Sequence, residues 1–254
     1  MTQLLENKVA FITGAAGDLG SAFARALAES GAKVVLADLN GDAAQAKAEA
    51  LCADQLECAG VACDVTSEES VNAAIKFAAD TFGGLDILVN AAAIMKEIPT
   101  LNVLELDLKW WNKVLEVNTT GPLLCVRAAV PYMKAAGKGK IINIVSGGAF
   151  IPSGSYGVSK LGLVSLGATL AKELGPHNIN VNNIAPGHMD TSSGDDARGE
   201  HSDLIVKAMA QIVPLKTLGS TDDLIGGLRF FASDASDWIT GQTLSIDGGW
   251  INRL

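Results

Sequence analysis

The 254-residue sequence predicts an α/β fold in which a mostly parallel sheet is covered by helices on both faces. Short apolar segments alternate with segments of helical periodicity, and this order is typical of parallel strands joined by right-handed crossovers. The apolar segments show little polar/apolar alternation, as expected of strands buried on both faces. No internal repeat or proline-rich linker divides the chain, so residues 1–254 are predicted to form a single domain.

Each predicted element follows from its local composition. Strands are predicted at short apolar runs that end in glycine or polar residues, at 8–13, 33–37, 60–63, 86–90, 140–145 and 179–184. Helices are predicted where apolar residues recur at helical spacing, at 19–30, 41–53, 67–82, 107–133 and 156–174. Ser67 is the expected N-terminal cap of the third helix, and Gly83 and Gly84 are expected to end it.

Composition and charge exclude several classes of function. A hydrophobic content of 48% favours a packed globule over a disordered chain. A net charge of −9 disfavours nucleic acids and anionic membranes as partners. The sequence shows no signal peptide and no apolar run long enough to span a bilayer, which predicts a cytoplasmic protein. The four cysteines and three histidines lack metal-ligand spacing, so no metal site is predicted.

One polar segment breaks the alternation of strands and helices. It begins at Thr191, shortly after Pro186-Gly187 at the end of a strand, and is rich in serine, glycine and acidic residues. Loops at the carboxyl edge of such a sheet commonly cover substrates. Residues 191–215 are therefore predicted to form a substrate lid that favours a polar substrate; a solvated loop without a role is the alternative.

A glycine-rich turn joins the first strand to the first helix, with the sequence Thr-Gly-Ala-Ala-Gly-Asp-Leu-Gly from Thr13 to Gly20. Glycines let the backbone approach a pyrophosphate, whose charge the helix N-terminus stabilises. Asp38 ends the second strand, where a carboxylate can bind both adenosine ribose hydroxyls and repel a 2′-phosphate. The pattern predicts a Rossmann-like, doubly wound sheet that binds NAD in preference to NADP.

Tyr156 and Lys160 stand four positions apart, so they share one face of the predicted helix. A phenol titrates near pH 10 and accepts a proton poorly at neutral pH unless a cation stabilises the phenolate. Lys160 can supply that cation. Taken alone, the pair could equally be an ordinary exposed tyrosine and lysine.

Six ordered motifs together resemble the classical short-chain dehydrogenase/reductase (SDR) family across essentially the whole chain. The motifs that carry the resemblance are the glycine turn, Asn90-Ala91-Ala92-Ala93, Asn118 with Gly121, the set Ser146, Tyr156 and Lys160, Pro186-Gly187 with Thr191, and Asp247-Gly248-Gly249. The resemblance implies hydride transfer between a nicotinamide and a carbonyl or alcohol carbon.

The resemblance also implies a role for each matched residue. Tyr156 would be the general acid or base, Lys160 would lower its pKa and bind the nicotinamide ribose, Ser146 would polarise the substrate oxygen, and Asn118 would hold a water in a proton relay. Asp64 would contact adenine, Asn90 and Ala91 would line the adenosine side, and Thr191 would fix the carboxamide. The full set expected at the cofactor is Gly14, Gly17, Asp18, Leu19, Gly20, Asp38, Asp64, Val65, Asn90, Ala91, Ala92, Tyr156, Lys160, Pro186, Gly187 and Thr191.

Three departures from the family pattern stand out. Asp18 replaces a glycine of the turn, and we expect it to cap the following helix rather than compete with the phosphates. Ala93 replaces the last glycine of its motif. Ser146 precedes Tyr156 by ten residues instead of the usual thirteen, which predicts a shortened loop.

The sequence therefore predicts an NAD-dependent alcohol dehydrogenase or ketone reductase that acts on a secondary alcohol or its ketone. The alternatives are an NADPH-dependent 3-oxoacyl-thioester reductase and a catalytically silent nucleotide-binding sensor or scaffold. The resemblance further implies a homotetramer, in which the apolar tail beginning at Trp250 could complete a neighbour's pocket. His188 is expected at the surface or behind the site rather than against substrate.

Overall fold

A computed structural model describes residues 4–191, 207–208 and 210–251 of the chain. Most of the predicted lid, residues 192–206 and 209, lies outside the described residues. No helix within the described ranges is long and apolar enough to cross a membrane.

Seven parallel strands form one sheet in the order β3-β2-β1-β4-β5-β6-β7. The strands are β1 Val9–Thr13, β2 Lys33–Asp38, β3 Cys58–Ala62, β4 Ile87–Asn90, β5 Gly139–Ile144, β6 Ile179–Pro186 and β7 Thr243–Ile246. The order reverses direction between β1 and β4. Ligands bind in the crevice at such a switch point, outside the carboxyl ends of the strands.

Helices connect these strands and cover both faces of the sheet. They are α1 Asp18–Glu29, α2 Gly41–Ala53, α3 Glu68–Phe82, α4 Leu108–Leu115, α5 Gly121–Ala136, α6 Gly154–Leu174 and α7 Thr221–Ala232. Ser67 caps α3 by accepting a hydrogen bond from the Ser70 amide, and Gly83 ends that helix in the left-handed conformation, as predicted.

Alternate residues of the strands pack into two hydrophobic cores, one on each face of the sheet. Ala10 and Ile12 of β1 pack with side chains of α1, α2 and α7. Val9 and Phe11 pack on the other face with side chains of α3, α5 and α6. The predicted doubly wound, parallel α/β fold is confirmed.

A ladder of side-chain hydrogen bonds crosses four strands inside the sheet. The Asn90 amide donates to Asn143 (2.9 Å), the Asn143 amide donates to Asn183 (3.0 Å), and the Asn183 amide donates to Thr243 (3.0 Å). The three asparagines are buried. Because buried amides are costly unless paired, the ladder fixes the register of β4 to β7.

Two elements and one irregularity were not predicted. Strand β7 and helix α7 lie beyond the lid, although Ser220 and Asp223 form a capping box at the start of α7. The long helix predicted over 107–133 is interrupted by a π-helical turn at Glu116–Thr120. Such turns commonly occur at functional sites, and this one contains Asn118.

Candidate active site

The glycine turn packs directly against the backbone that follows β4. Gly14 has φ of +66°, and a Cβ there would lie 2.7 Å from the Ala92 Cα. A Cβ on Gly20 would lie 2.3 Å from the Gly14 carbonyl oxygen, so α1 begins tightly against the turn. Only glycine fits both positions, and the result is an exposed helix N-terminus suited to an anionic phosphate.

Asp18 does not cap α1. The helix begins at Asp18, and Gly17 occupies the N-cap position without a side-chain hydrogen bond. Asp18 instead places its carboxylate in the first turn, where the helix dipole stabilises negative charge. The predicted capping was therefore wrong, because the helix begins one residue too early for Asp18 to be its cap and Gly17 has no side chain. Leu19 packs against the core.

Asp38 fastens the glycine turn to the end of β2. Its Oδ2 accepts a hydrogen bond from the Ala16 amide (3.0 Å), and its Oδ1 accepts one from the Asn40 amide (3.0 Å). Each carboxylate oxygen can accept a further bond, so the group can still receive two ribose hydroxyls.

A cavity of about 620 Å³ opens beside Asp38 and is also lined by Leu39, Asn40, Gly41, Asp42 and Ala62. Among these lining residues two are carboxylates and none is basic. The charge of the cavity therefore opposes a 2′-phosphate.

The ends of β3 and β4 lie beside this turn. Asp64 accepts hydrogen bonds from the Thr66 amide (2.9 Å) and the Thr66 hydroxyl (2.7 Å), so one of its oxygens already holds the local turn. Val65 is buried and packs against Gly121. Contact of Asp64 with adenine stays a prediction.

Asn90 lies at the end of β4, beneath the backbone predicted to line the adenosine side. Its side chain is 2% exposed, and its Nδ2 donates to the amide ladder. The Ala91 and Ala92 amides that follow it both donate to the Thr13 hydroxyl at 3.1 Å. Contact of Asn90 and Ala91 with the adenosine stays a prediction.

Pro186 and Gly187 end β6 beside β7, and the Gly187 amide donates to the Ile246 carbonyl. Thr191 lies with Asp18 on the wall of a second cavity, of about 650 Å³, which runs along α1 and α2. The structure thus brings the Pro-Gly segment and the glycine turn to the same edge of the sheet.

Ser146 lies just beyond the end of β5, close to Tyr156 in the first turn of α6. Ser146 follows β5 and accepts a hydrogen bond from the Gly148 amide (3.0 Å), which bends the short loop sharply. Burial raises the pKa of the Tyr156 phenol above its ordinary value, and a hydrogen bond with Ser146 opposes that rise. The shortened loop therefore still brings the two hydroxyls together.

Lys160 lies one helical turn beyond Tyr156 and is 2% exposed. Its Nζ donates to the Ile144 carbonyl oxygen (2.8 Å) and lies 5.8 Å from the centroid of the Tyr156 ring. Burial lowers the pKa of Lys160 to about 8. Burial is the larger effect on the Tyr156 pKa, and the lowering of that pKa by Lys160 stays a prediction.

Asn118 connects the π-helical turn to the residues around Tyr156. Its Oδ1 accepts from the Ile94 amide (2.8 Å), and its Nδ2 donates to the Ile94 carbonyl (2.9 Å) and to the Ser159 hydroxyl (3.0 Å). Ser159 in turn donates to the Tyr156 carbonyl (2.7 Å). Both N–H groups of Asn118 are thus used within the protein, so a relay through this residue would have to run through its oxygen atoms.

Two site residues were missed at the level of sequence. Ser159 links Asn118 to Tyr156, and Ser153 donates a hydrogen bond to the Gly148 carbonyl. Ser159 stands three residues after Tyr156, and this spacing could have identified it. Nothing in the sequence marks Ser153. Among the described residues no cluster of histidine, cysteine and acidic side chains could hold a metal ion.

The arrangement of these residues agrees with the family comparison. A family model described as enoyl-(acyl carrier protein) reductase matches residues 14–251. The chain belongs to the short-chain dehydrogenase/reductase family.

This SDR is similar over nearly its whole length to dehydrogenases of hydroxylated substrates. It is 39% identical over 251 residues to trans-4-hydroxycyclohexanecarboxylate dehydrogenase of Sinomonas cyclohexanicum, covering 95% of this chain and 92% of that one. It is 37% identical over 253 residues to D-threitol dehydrogenase of Mycolicibacterium smegmatis, covering 97% and 94%. The crystal structure of gox2181 superposes with a TM-score of 0.91 at 30% identity, covering 98% and 97%. The chain is therefore an SDR oxidoreductase that uses a nicotinamide cofactor.

The buried ammonium of Lys160 gives this SDR a testable pH dependence of folding. A pKa lowered from 10.5 to about 8 corresponds to a destabilisation of roughly 3 kcal/mol at neutral pH. Between those values the unfolded chain keeps a proton that the folded chain has released, so stability should rise with pH. Lys160→Met is expected to be more stable than the parent at pH 7, and most of this advantage should vanish by pH 10, as measured by urea unfolding.

Lys172→Met is the matched control, because Lys172 is exposed on the same helix. It should shift stability by no more than about 0.5 kcal/mol at either pH. An equal advantage of Lys160→Met at both pH values would show that Lys160 carries no such penalty.

Proposed function

We propose that this SDR is an NAD(H)-dependent dehydrogenase that interconverts a secondary alcohol and its ketone, with Tyr156 as the general acid or base. The observation that carries the proposal is that the Ser146 Oγ and the Tyr156 ring both lie beside Gly148, 3.3 and 3.5 Å from a Cβ added there, at the sheet edge that also carries the glycine turn fastened by Asp38. The residues around the glycine turn fit a dinucleotide, because Gly14 and Gly20 leave a bare helix N-terminus beside an acidic cavity.

When bound, the nicotinamide supplies or accepts the hydride. Ser146 would donate a hydrogen bond to the substrate oxygen and polarise it. Tyr156 would give its proton to that oxygen during reduction and take it back during oxidation. Since burial raises the Tyr156 pKa, the phenol keeps its proton at neutral pH, and the rate of oxidation should increase with pH.

Lys160 and Asn118 support this proton transfer. Lys160, held by Ile144, would place a positive charge near the phenolate and the nicotinamide ribose. Asn118 would keep Tyr156 in place through Ser159. Removing a positioned general acid or base, here Tyr156, typically lowers the reaction rate about 100-fold or more.

The activities for which two relatives are named support a hydroxyl-bearing substrate. One is named for a hydroxycyclohexane acid and the other for a four-carbon polyol, D-threitol. A second candidate, an NADPH-dependent 3-oxoacyl-thioester reductase, is favoured by the family model's description as an acyl-carrier-protein reductase. The acidic cavity at Asp38 and Asp42 argues against it, because it would repel the extra phosphate of NADPH.

We also expect the protein to be a cytoplasmic homotetramer. Among the described residues, Leu104 is 97% exposed and Trp238 is fully exposed. Large apolar side chains of this kind are commonly covered by another subunit.

The deciding experiment measures initial rates with NAD and NADP against a panel of secondary alcohols, and with NADH and NADPH against the corresponding ketones and a 3-oxoacyl thioester. We expect turnover of secondary alcohols with NAD at least 100-fold above that with NADP. Preference for NADPH and the thioester would favour the second candidate. Absence of turnover under every condition, with NADH binding retained, would support a silent nucleotide sensor.

A further inference from the structure

The chain beyond β7 folds back toward the catalytic loop and is held there by Asp247. The Asp247 carboxylate accepts hydrogen bonds from the Gly249 amide (2.9 Å) and the Ile251 amide (3.0 Å). The Trp250 amide donates to the Asp247 carbonyl (3.1 Å). These bonds fix the backbone on both sides of Trp250, so its side chain has a defined position.

The Trp250 indole lies between His188 and the loop that follows Ser146. Its ring centroid is 3.9 Å from that of the His188 imidazole, with 39° between the planes. A Cβ added to Gly147 would lie 2.8 Å from the indole. His188 is itself anchored, because its carbonyl accepts a hydrogen bond from the Gly219 amide (2.9 Å).

This position places the indole against the loop that lies between Ser146 and the Tyr156 ring. Gly147 directly follows Ser146, and a Cβ on Gly148 would lie 3.3 Å from the Ser146 Oγ and 3.5 Å from the Tyr156 ring. The indole therefore rests on Gly147, which lies between Ser146 and Gly148. A side chain larger than that of glycine at position 147 would move it.

We propose that the Trp250 indole, stacked on His188 and seated against Gly147, is the specificity-determining wall of the substrate site and selects secondary alcohols whose hydroxyl is carried on a six-membered ring. The inference rests on the proposed function. A ring presents several C–H groups to a flat aromatic face at once, whereas an open chain must lose rotational freedom to make the same contacts. Tyr156 and Ser146 then receive the ring hydroxyl at the edge of that face.

The test compares cyclohexanol with hexan-2-ol, which has the same number of carbons but no ring. The measured quantity is the ratio of kcat/KM for the two alcohols with saturating NAD. We expect a ratio well above one for the parent, a drop of roughly tenfold for Trp250→Ala, and a change within about threefold for Trp250→Phe. Trp238→Ala is the matched control, because its neighbours Asp237 and Ile239 contact Asn180 at the start of β6, at the edge of the sheet opposite Ser146 and Tyr156, and it should leave the ratio unchanged.

Gly147→Ala provides a second, independent variant, because its added methyl would push the indole aside without removing it. It should lower the ratio in the parent and have no further effect on the ratio in Trp250→Ala. If Trp250→Ala does not fold, Gly147→Ala and Trp250→Phe decide the question. An active parent with a ratio near or below one, or variants that lower both rates equally, would overturn the inference and leave the proposed function standing. A parent inactive with every alcohol would overturn both.

Discussion

Replacement of Tyr156 by phenylalanine is expected to lower the turnover of alcohol and ketone by roughly 10³-fold while leaving NADH affinity within about twofold. The substitution removes only the phenol hydroxyl and keeps the ring beside Gly148. The ring stays in place because α6 and the Asn118-Ser159 bonds hold the backbone. Steady-state kinetics and fluorescence titration of NADH measure the two effects separately.

Tyr132→Phe is the appropriate control, since Tyr132 is the other tyrosine of the chain and lies on α5. Its kcat should stay within about twofold of the parent. A Tyr156→Phe enzyme that retains a tenth or more of the parent kcat would mean that the proton passes through another group.

Replacement of Asp38 by asparagine is expected to lower the preference for NAD over NADP by roughly 100-fold. The change removes the negative charge that repels a 2′-phosphate. It also leaves one side-chain acceptor oxygen where two now bind the Ala16 and Asn40 amides. NAD should therefore bind more weakly and NADP more tightly, as seen in kcat/KM for each cofactor.

Asp42→Asn serves as the comparison, because Asp42 lines the same cavity but is exposed to solvent. Solvent screening should hold its effect on the cofactor preference to about threefold. Equal effects of the two substitutions would show that the general charge of the cavity, not the position of Asp38, sets the preference.

The sequence predicted the fold well because its strongest signals are local. Apolar runs and helical periodicity located β1 to β6 and α1 to α3 within two residues at nearly every boundary. Strand β7 was missed because Thr243–Ile246 is short and follows the polar lid region. The π-helical turn was missed because the composition of the helix does not change there. The turn is visible only in the structure, where the Asn118 side chain points inward and bonds to Ile94.

The site was predicted less completely because its contacts join distant segments. The order of Ser146 and Tyr156 along the chain predicted that they act together, and the fold brings both beside Gly148. The Asn90 side chain was assigned to the cofactor because its motif lies at the right strand end, but its use depends on the register of β4 against β5. The stacking of Trp250 on His188 spans more than sixty residues, and no spacing rule reveals it.

The amide ladder under the site has a consequence for altering this enzyme. Asn143 both gives and receives a hydrogen bond, so exchanging Asn143 alone would strand a buried donor on one neighbour and a buried acceptor on the other. Substrate range is consequently best engineered in the loops above the strands, at positions such as 147 and 250. The asparagines of the ladder beneath these loops can be exchanged only together.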